Sequence, residues 1–177
     1  MEKWNDYFYK MAIIVATQSP CMSRKIGAVL VRDRAIISTG YNGPARGVPH
    51  CNDGRKWNTA LSDEISQHLL FNIKQDKELT KCPRRSLGYS SNEGLHLCPA
   101  AHAEANCLIQ AARNGVSTLD TSMYVTCEIP CKNCLSLIIN AGVKEVICAS
   151  LNFYDKLSPF IARGRLIIKD YDGEEIN

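Results

Sequence analysis

The chain has 177 residues and a formal net charge of +3, with 45% hydrophobic and 22% charged residues. These proportions belong to an ordinary globular protein long enough to bury a core, read most simply as a single domain over 1–177. The charge suits a small anionic substrate and falls short of that of a dedicated nucleic-acid binder, so no nucleic-acid partner is expected.

From the first residue onward, Trp4, Tyr7, Phe8, Met11, Ala12 and Val15 recur at helical spacing until Pro20 stops the pattern, which predicts a helix over 4–18. Ile26–Val31 and Ala35–Ser38 are β-rich runs that a turn at Asp33-Arg34 joins into a hairpin. Residues 40–49 are punctuated by glycine and proline and read as a loop. Residues 52–95 carry one amphipathic stretch, a helix over 63–73, followed by polar sequence; they are expected to be an insertion in the domain. From Cys98 on, helices are expected over 100–112 and 131–140, with Gly115 and Gly142 as their stops. Strands are expected over 122–126, 143–150 and 165–168, and Tyr171–Asn177 reads as an acidic tail. Alternating strands and helices give a layered α/β domain.

The polar start, Met1 to Asn5, and the lack of any long apolar run lead to the expectation of a cytoplasmic protein with no membrane partner. Nine cysteines, an odd number that includes a CxxC pair, favour metal ligation over disulfides there. The chemistry concentrates in His102-Ala103-Glu104 and Pro130-Cys131-Lys132-Asn133-Cys134. One imidazole and two thiolates make three zinc ligands, one fewer than a closed structural site uses, which leaves a position for water. Cys131 and Cys134 share a helix face, so both sulfurs reach one ion. Each motif opens a predicted helix, where unsatisfied N–H groups and the helix dipole favour thiolates. A lone histidine would be an ordinary cap and a lone CxxC a redox pair or structural zinc. H-x-E and P-C-x-x-C in this order form the pattern of zinc-dependent nucleobase deaminases. Glu104 is then the general acid and base: it takes the proton of the attacking water, gives it to N3 of the base and protonates the departing ammonia.

Residues 98–148 resemble the cytidine/deoxycytidylate deaminase superfamily in His102–Asn106, Met123–Thr126, Pro130–Cys134 and Ala141–Val146. Cys21–Val29, Ser38–Gly43 and Pro49-His50-Cys51 look like those of dCMP deaminases, and the insertion resembles that of phage-encoded members. The chain departs from the family's T-x-x-P-C spacing, because Thr126 to Cys131 has one residue more. The resemblance implies a three-layer α/β/α domain with a central mixed five-stranded sheet, and hydrolysis of dCMP to dUMP and ammonia. It implies Zn²⁺ as cofactor and, for a phage-encoded member, the host cytoplasm.

Ser23, Arg24 and Lys25 could hold the 5′-phosphate by charge-assisted hydrogen bonds, or could equally be a solvated basic turn; the resemblance favours the former. It likewise implies Asn42 at the sugar, Ala103 at the substrate and Tyr154 beside the nucleotide. A second, structural zinc is implied at Cys21, Cys51 and Cys98, with His96 or His50 as the fourth ligand. Cys107, Cys127 and Cys148 are assigned no metal. Regulation by dCTP as activator and dTTP as inhibitor in a homo-oligomer, a hexamer, is also implied. In the loop 40–53 the glycines, with Asn42, Gly43, Arg46 and Gly47, would meet the effector's phosphates, and Asp53 a bridging Mg²⁺. Arg113 would link subunit contact to the site. Two alternatives share the motifs: deamination of a base within tRNA or single-stranded DNA, and a non-catalytic zinc module. The first needs stacking aromatics, which are only 7% here; the second needs a fourth protein ligand.

Overall fold

The computed structural model describes residues 2–51, 82–86 and 88–176. The chain falls into two compact units. One comprises 1–19, 25–42 and 101–177, and the other 20–24 and 43–100.

The first unit is built on a sheet. Strands β1 (Gly27–Arg32) and β2 (Ala35–Tyr41) form the expected antiparallel hairpin. Asp33 and Arg34 at its turn both have positive φ, 51° and 63°, the twist a two-residue hairpin turn requires. β5 (Ser122–Val125) runs antiparallel to β1 and parallel to β7 (Glu145–Cys148), which is parallel to β9 (Ile167–Asp170). These five strands make the mixed central sheet that the resemblance implies. A sixth, β10 (Glu175–Ile176), is added antiparallel at the edge of β9. The residues read as an acidic tail thus include a strand, held by Lys169 Nζ 3.3 Å from Glu145 and 3.8 Å from Glu175.

Alternation along β1 sends side chains to two faces. Ala28 and Leu30 join Met123, Val125, Val146 and Ile168 under helices α3 (Ala103–Arg113) and α4 (Lys132–Asn140). Val29 and Val31 join Tyr124 and Ile147 under Phe8 and Ala12 of α1 (Glu2–Ala16). The result is helix, sheet, helix. Fully buried Leu30, Met123, Leu135 and Ile138 each contribute about 1.5–3 kcal/mol of apolar burial.

The expected helix over 100–112 begins only at Ala103, because Ala100–Ala101 is extended as β4; the expected strand over 143–150 is broken at Ala149 into β7 and β8 (Ser150–Phe153). β8 pairs in parallel with the short β6 (Glu128–Ile129). A short helix α5 (Ser158–Ala162) follows β8. Gly115 and Gly142 end α3 and α4 at φ 66° and 72°, as their expected role as stops requires.

In the second unit, β3 (Gly43–Pro44) and helix α2 (Pro83–Ser86) precede a 3₁₀ turn at Leu95–Leu97. Arg84 is buried, and its guanidinium donates to the carbonyls of Ser90, Ser91 and Glu93 at 3.1, 2.7 and 2.8 Å. This polar stretch is therefore organised by an internal cation. The helix expected over 63–73 lies outside the described residues. No described helix is long and apolar enough to cross a membrane.

Candidate active site

His102 is the N-cap of α3, and Glu104 sits in its first turn, 3% exposed. Strand β2 sets where this helix begins. The Ser38 hydroxyl donates to Cys107 O at 2.7 Å and Asn106 Nδ2 to Tyr41 O at 2.8 Å. Between them Gly40 lies so close that a Cβ there would stand 2.3 Å from Cys107 N and 2.4 Å from Ala103 O. Gly40 is thus a contact glycine within a strand. It does not free backbone for a phosphate, as its place in the expected loop implied.

Cys131 is the N-cap of α4, and Cys134 lies buried one turn on. His102 Nδ1 stands 3.5 Å from Cys131 Sγ and 3.4 Å from Cys134 Sγ. Zn–S of about 2.3 Å and Zn–N of about 2.0 Å at tetrahedral angles require an N···S separation of roughly 3.5 Å. Both N···S separations match that spacing. Among the described residues, these three form the group whose ligand atoms all lie within 4.8 Å of one another.

The electrostatics suit a cation. The hydrogen bond from Cys134 lowers the Cys131 thiol to about 4, with His102 adding to the effect, and the same shared proton pushes Cys134 up. The hydrogen bond to Cys131 raises His102 against the opposing effect of burial. Burial raises the Glu104 carboxyl above the usual carboxylate value, which favours its protonated form.

Sequence reasoning missed the brace around this triangle. Asp155 Oδ2 accepts from Lys132 N–H at 2.7 Å, and Oδ1 from the N–H groups of Leu157 and Ser158, both at 2.9 Å. The Ser158 hydroxyl lies 3.1 Å from Pro130 O and 3.0 Å from Asp155 Oδ2. The Asp155-x-x-Ser158 pattern was the available signal, since such residues cap chain turns. Tyr154, next in the chain, presents its ring edge-on to His102 at 6.5 Å between centroids, so this expected residue does stand at the site. Cys127, assigned no metal, places Sγ 3.9 Å from Glu104 Oε1.

The remaining expected residues are dispersed. Ala103 is fully buried at the start of α3. Asn42 is buried, and its Oδ1 lies 2.7 Å from the Ser19 hydroxyl and accepts from Ile26 N–H at 2.8 Å. That oxygen tethers the end of β2 to the start of β1. Ser23 is exposed and accepts from Arg85 Nε at 3.4 Å within the second unit, to which Arg24 also belongs; Lys25 belongs to the first and reaches Thr17 O at 3.5 Å. Gly43 is in β3, Arg46 is exposed, Gly47 turns at φ 80° with open space around it, and Arg113 is exposed in the last turn of α3. Asp53 lies outside the described residues. Cys51 is raised by burial and then by its neighbours Cys82, Cys21 and Cys98. Cys82 was left out of the expected ligand set, and His96 is exposed in the 3₁₀ turn.

A three-layer sheet that presents a histidine, two cysteines and a buried glutamate at two helix starts is the scaffold of a zinc-dependent deaminase. Residues 2–150 match the model of the cytidine and deoxycytidylate deaminase zinc-binding region, and the chain belongs to that family. A deoxycytidylate deaminase of Schizosaccharomyces pombe is 35% identical over 144 residues, 81% of this chain but 36% of that protein. The chain thus spans about a third of that fungal relative. A deoxycytidylate deaminase of Mycobacterium phage D29 is 33% identical over 151 residues, 81% of this chain and 92% of its own length. The fold matches that of the cyanophage S-TIM5 dCMP deaminase solved in complex with dCMP and dUMP, with a TM-score of 0.62 at 19% identity, over 93% of this chain and 94% of that one.

Proposed function

We propose that this chain is a cytoplasmic dCMP deaminase, converting dCMP and water to dUMP and ammonia. The observation that carries the reading is the zinc-sized triangle of His102, Cys131 and Cys134 with the buried Glu104 beside it. Zinc held by His102, Cys131 and Cys134 would supply a Lewis acid that makes the attacking water more acidic. Glu104 takes the water's proton on its carboxylate and delivers it to N3 of the cytosine, which makes C4 electrophilic. Once the water oxygen has bonded to C4, Glu104 takes its second proton and passes it to the amino nitrogen, so that the C4–N bond breaks with release of ammonia as the C4 carbonyl forms. Tyr154 stands beside the nucleotide, and Asn42 at its sugar. Ser23, Arg24 and Lys25 hold the phosphate. The test is turnover of dCMP, CMP, deoxycytidine and a dC-containing oligonucleotide under one set of conditions. Preference for the oligonucleotide would overturn the reading.

A second zinc is proposed at Cys21, Cys51 and Cys98. Its fourth ligand is His96 or His50. Close to two zincs per chain, falling to one in Cys51→Ser, is the expected metal content; one in fully active wild type would refute it. Regulation by dCTP and dTTP, with Mg²⁺ bridging the effector, is proposed through Asn42, Gly43, Arg46, Gly47, Asp53 and Arg113. Sigmoidal kinetics that become hyperbolic with dCTP and steepen with dTTP would bear it out. The homo-oligomer, a hexamer, is proposed to use the outer face of α3 and α4. A charge-free groove of about 450 Å³ there sets Ala105, Ala112 and Ala141 beside protruding Ile109, Leu119 and Leu137, a shape suited to its own copy. Leu137→Glu should lower the sedimenting mass.

A further inference from the structure

Both metal-bearing helices lack the cap a helix start normally has. His102 and Cys131 occupy the N-cap positions, and neither makes a side-chain capping bond, since their ligand atoms face each other instead. An N-cap that serves as a metal ligand cannot also accept from its own helix's N–H groups. For α4 the acceptor comes from elsewhere. Asp155, 23 residues beyond Lys132 in sequence, brings Oδ2 to within 2.7 Å of the Lys132 N–H, at the position between the two cysteine ligands. Its other oxygen closes a turn on Leu157 and Ser158, and the Ser158 hydroxyl touches both Asp155 and the carbonyl of Pro130, which precedes the first cysteine. One residue before this carboxylate stands Tyr154, whose ring meets the imidazole of His102.

We propose that Asp155 is a positioning residue that clasps the zinc helix and the Tyr154 ring into one rigid unit. This rests on the reading of Tyr154 as a contact of the bound nucleotide. The clasp has two consequences. It fixes Cys131 and Cys134 from outside the metal, and so slows loss of the ion. It also holds Tyr154 where the substrate meets it, and so lowers KM without entering the chemical step. Asp155 touches neither the metal ligands' donor atoms nor the reacting atoms.

Asp155→Asn isolates the effect. An asparagine can keep an oxygen on the Leu157 and Ser158 N–H groups while setting an amide N–H against the Lys132 N–H, which opens only the link to α4. Two measurements follow on the zinc-loaded protein: the rate of zinc transfer to a chelator, and kcat and KM for dCMP. The expected result is zinc release about tenfold faster and KM raised about tenfold with kcat little changed, the scale on which a misplaced positioning group acts. In a Tyr154→Ala background Asp155→Asn should add less than about twofold to KM, because coupled residues are not additive. Ser158→Ala, which loosens the clasp without a buried donor clash, should shift both readouts the same way by less and serves if Asp155→Asn does not fold. Unchanged zinc release, or a KM effect undiminished without Tyr154, would overturn the clasp and leave Asp155 as the cap of its own turn. A wild-type protein inert on dCMP would strike the proposed function alone, and the zinc-release comparison would still decide the clasp.

Discussion

Cys127 Sγ stands 3.9 Å from Glu104 Oε1, and both side chains are buried. The thiol comes from the loop that carries one residue more than the family spacing, and the Cys127 carbonyl accepts from Ala149 N–H at 2.8 Å, which pins that loop to the sheet. A thiol is a weak donor, so its bond to the carboxylate is worth at most about 0.5–1.5 kcal/mol. Cys127→Ser should keep kcat near wild type, and Cys127→Ala should lower it severalfold with KM unchanged. Equal losses in both variants would mean that the site needs the sulfur's volume instead of its proton.

In the proposed reaction Glu104 carries the heavier share of the chemistry. Glu104→Ala should keep zinc at the catalytic triangle, since all three ligands remain, and lose roughly 10²–10⁴-fold or more in turnover, the range for a positioned proton carrier. Metal content and single-turnover rates check both halves. Activity within tenfold of wild type would remove Glu104 from its role.

How much of this was legible before the structure follows from what local sequence encodes. His102, Glu104, Cys131 and Cys134 were readable because their chemistry needs fixed residue types at fixed spacing on helix starts. The hairpin was readable from β-rich runs around Asp33-Arg34. Gly40 was misread as a loop glycine, because its reason is a neighbour 67 positions away, Cys107, and no local pattern records a close approach. Asp155 was passed over for the same reason: an aspartate in a polar loop looks solvated until α4 is placed against it. The strand at Glu175–Ile176 was hidden because two residues at a sheet edge have no period to detect.

Gly40 yields a stability prediction. A methyl group there would overlap Cys107 N and Ala103 O at 2.3 and 2.4 Å, both backbone atoms of the helix that carries His102 and Glu104. The helix cannot yield locally, since Ser38 and Asn106 tie it on both sides. Gly40→Ala should destabilise by about 1–3 kcal/mol or more, the cost of overpacking a tight contact. Denaturant unfolding measures it, and Gly47→Ala, in open space though at φ 80°, should cost less. A smaller loss at Gly40 than at Gly47 would mean that α3 shifts freely.

The last prediction concerns acid. Burial pushes the Asp155 carboxyl up, but the N–H groups of Lys132, Leu157 and Ser158 outweigh it and hold the group below the usual aspartate value. A carboxyl depressed in the folded state stabilises fully above its unfolded value, about 3.9, and loses that contribution as pH falls through the folded value. The stability gap between wild type and Asp155→Ala should therefore be constant from about pH 8 to pH 5 and close below about pH 4. Zinc content is followed in both proteins across the range, because metal loss would add its own acid dependence. Chemical denaturation of the two across this range reads the gap directly. A gap that did not narrow at all below about pH 4 would show that Asp155 acts through packing and that its charge contributes nothing to holding the start of α4.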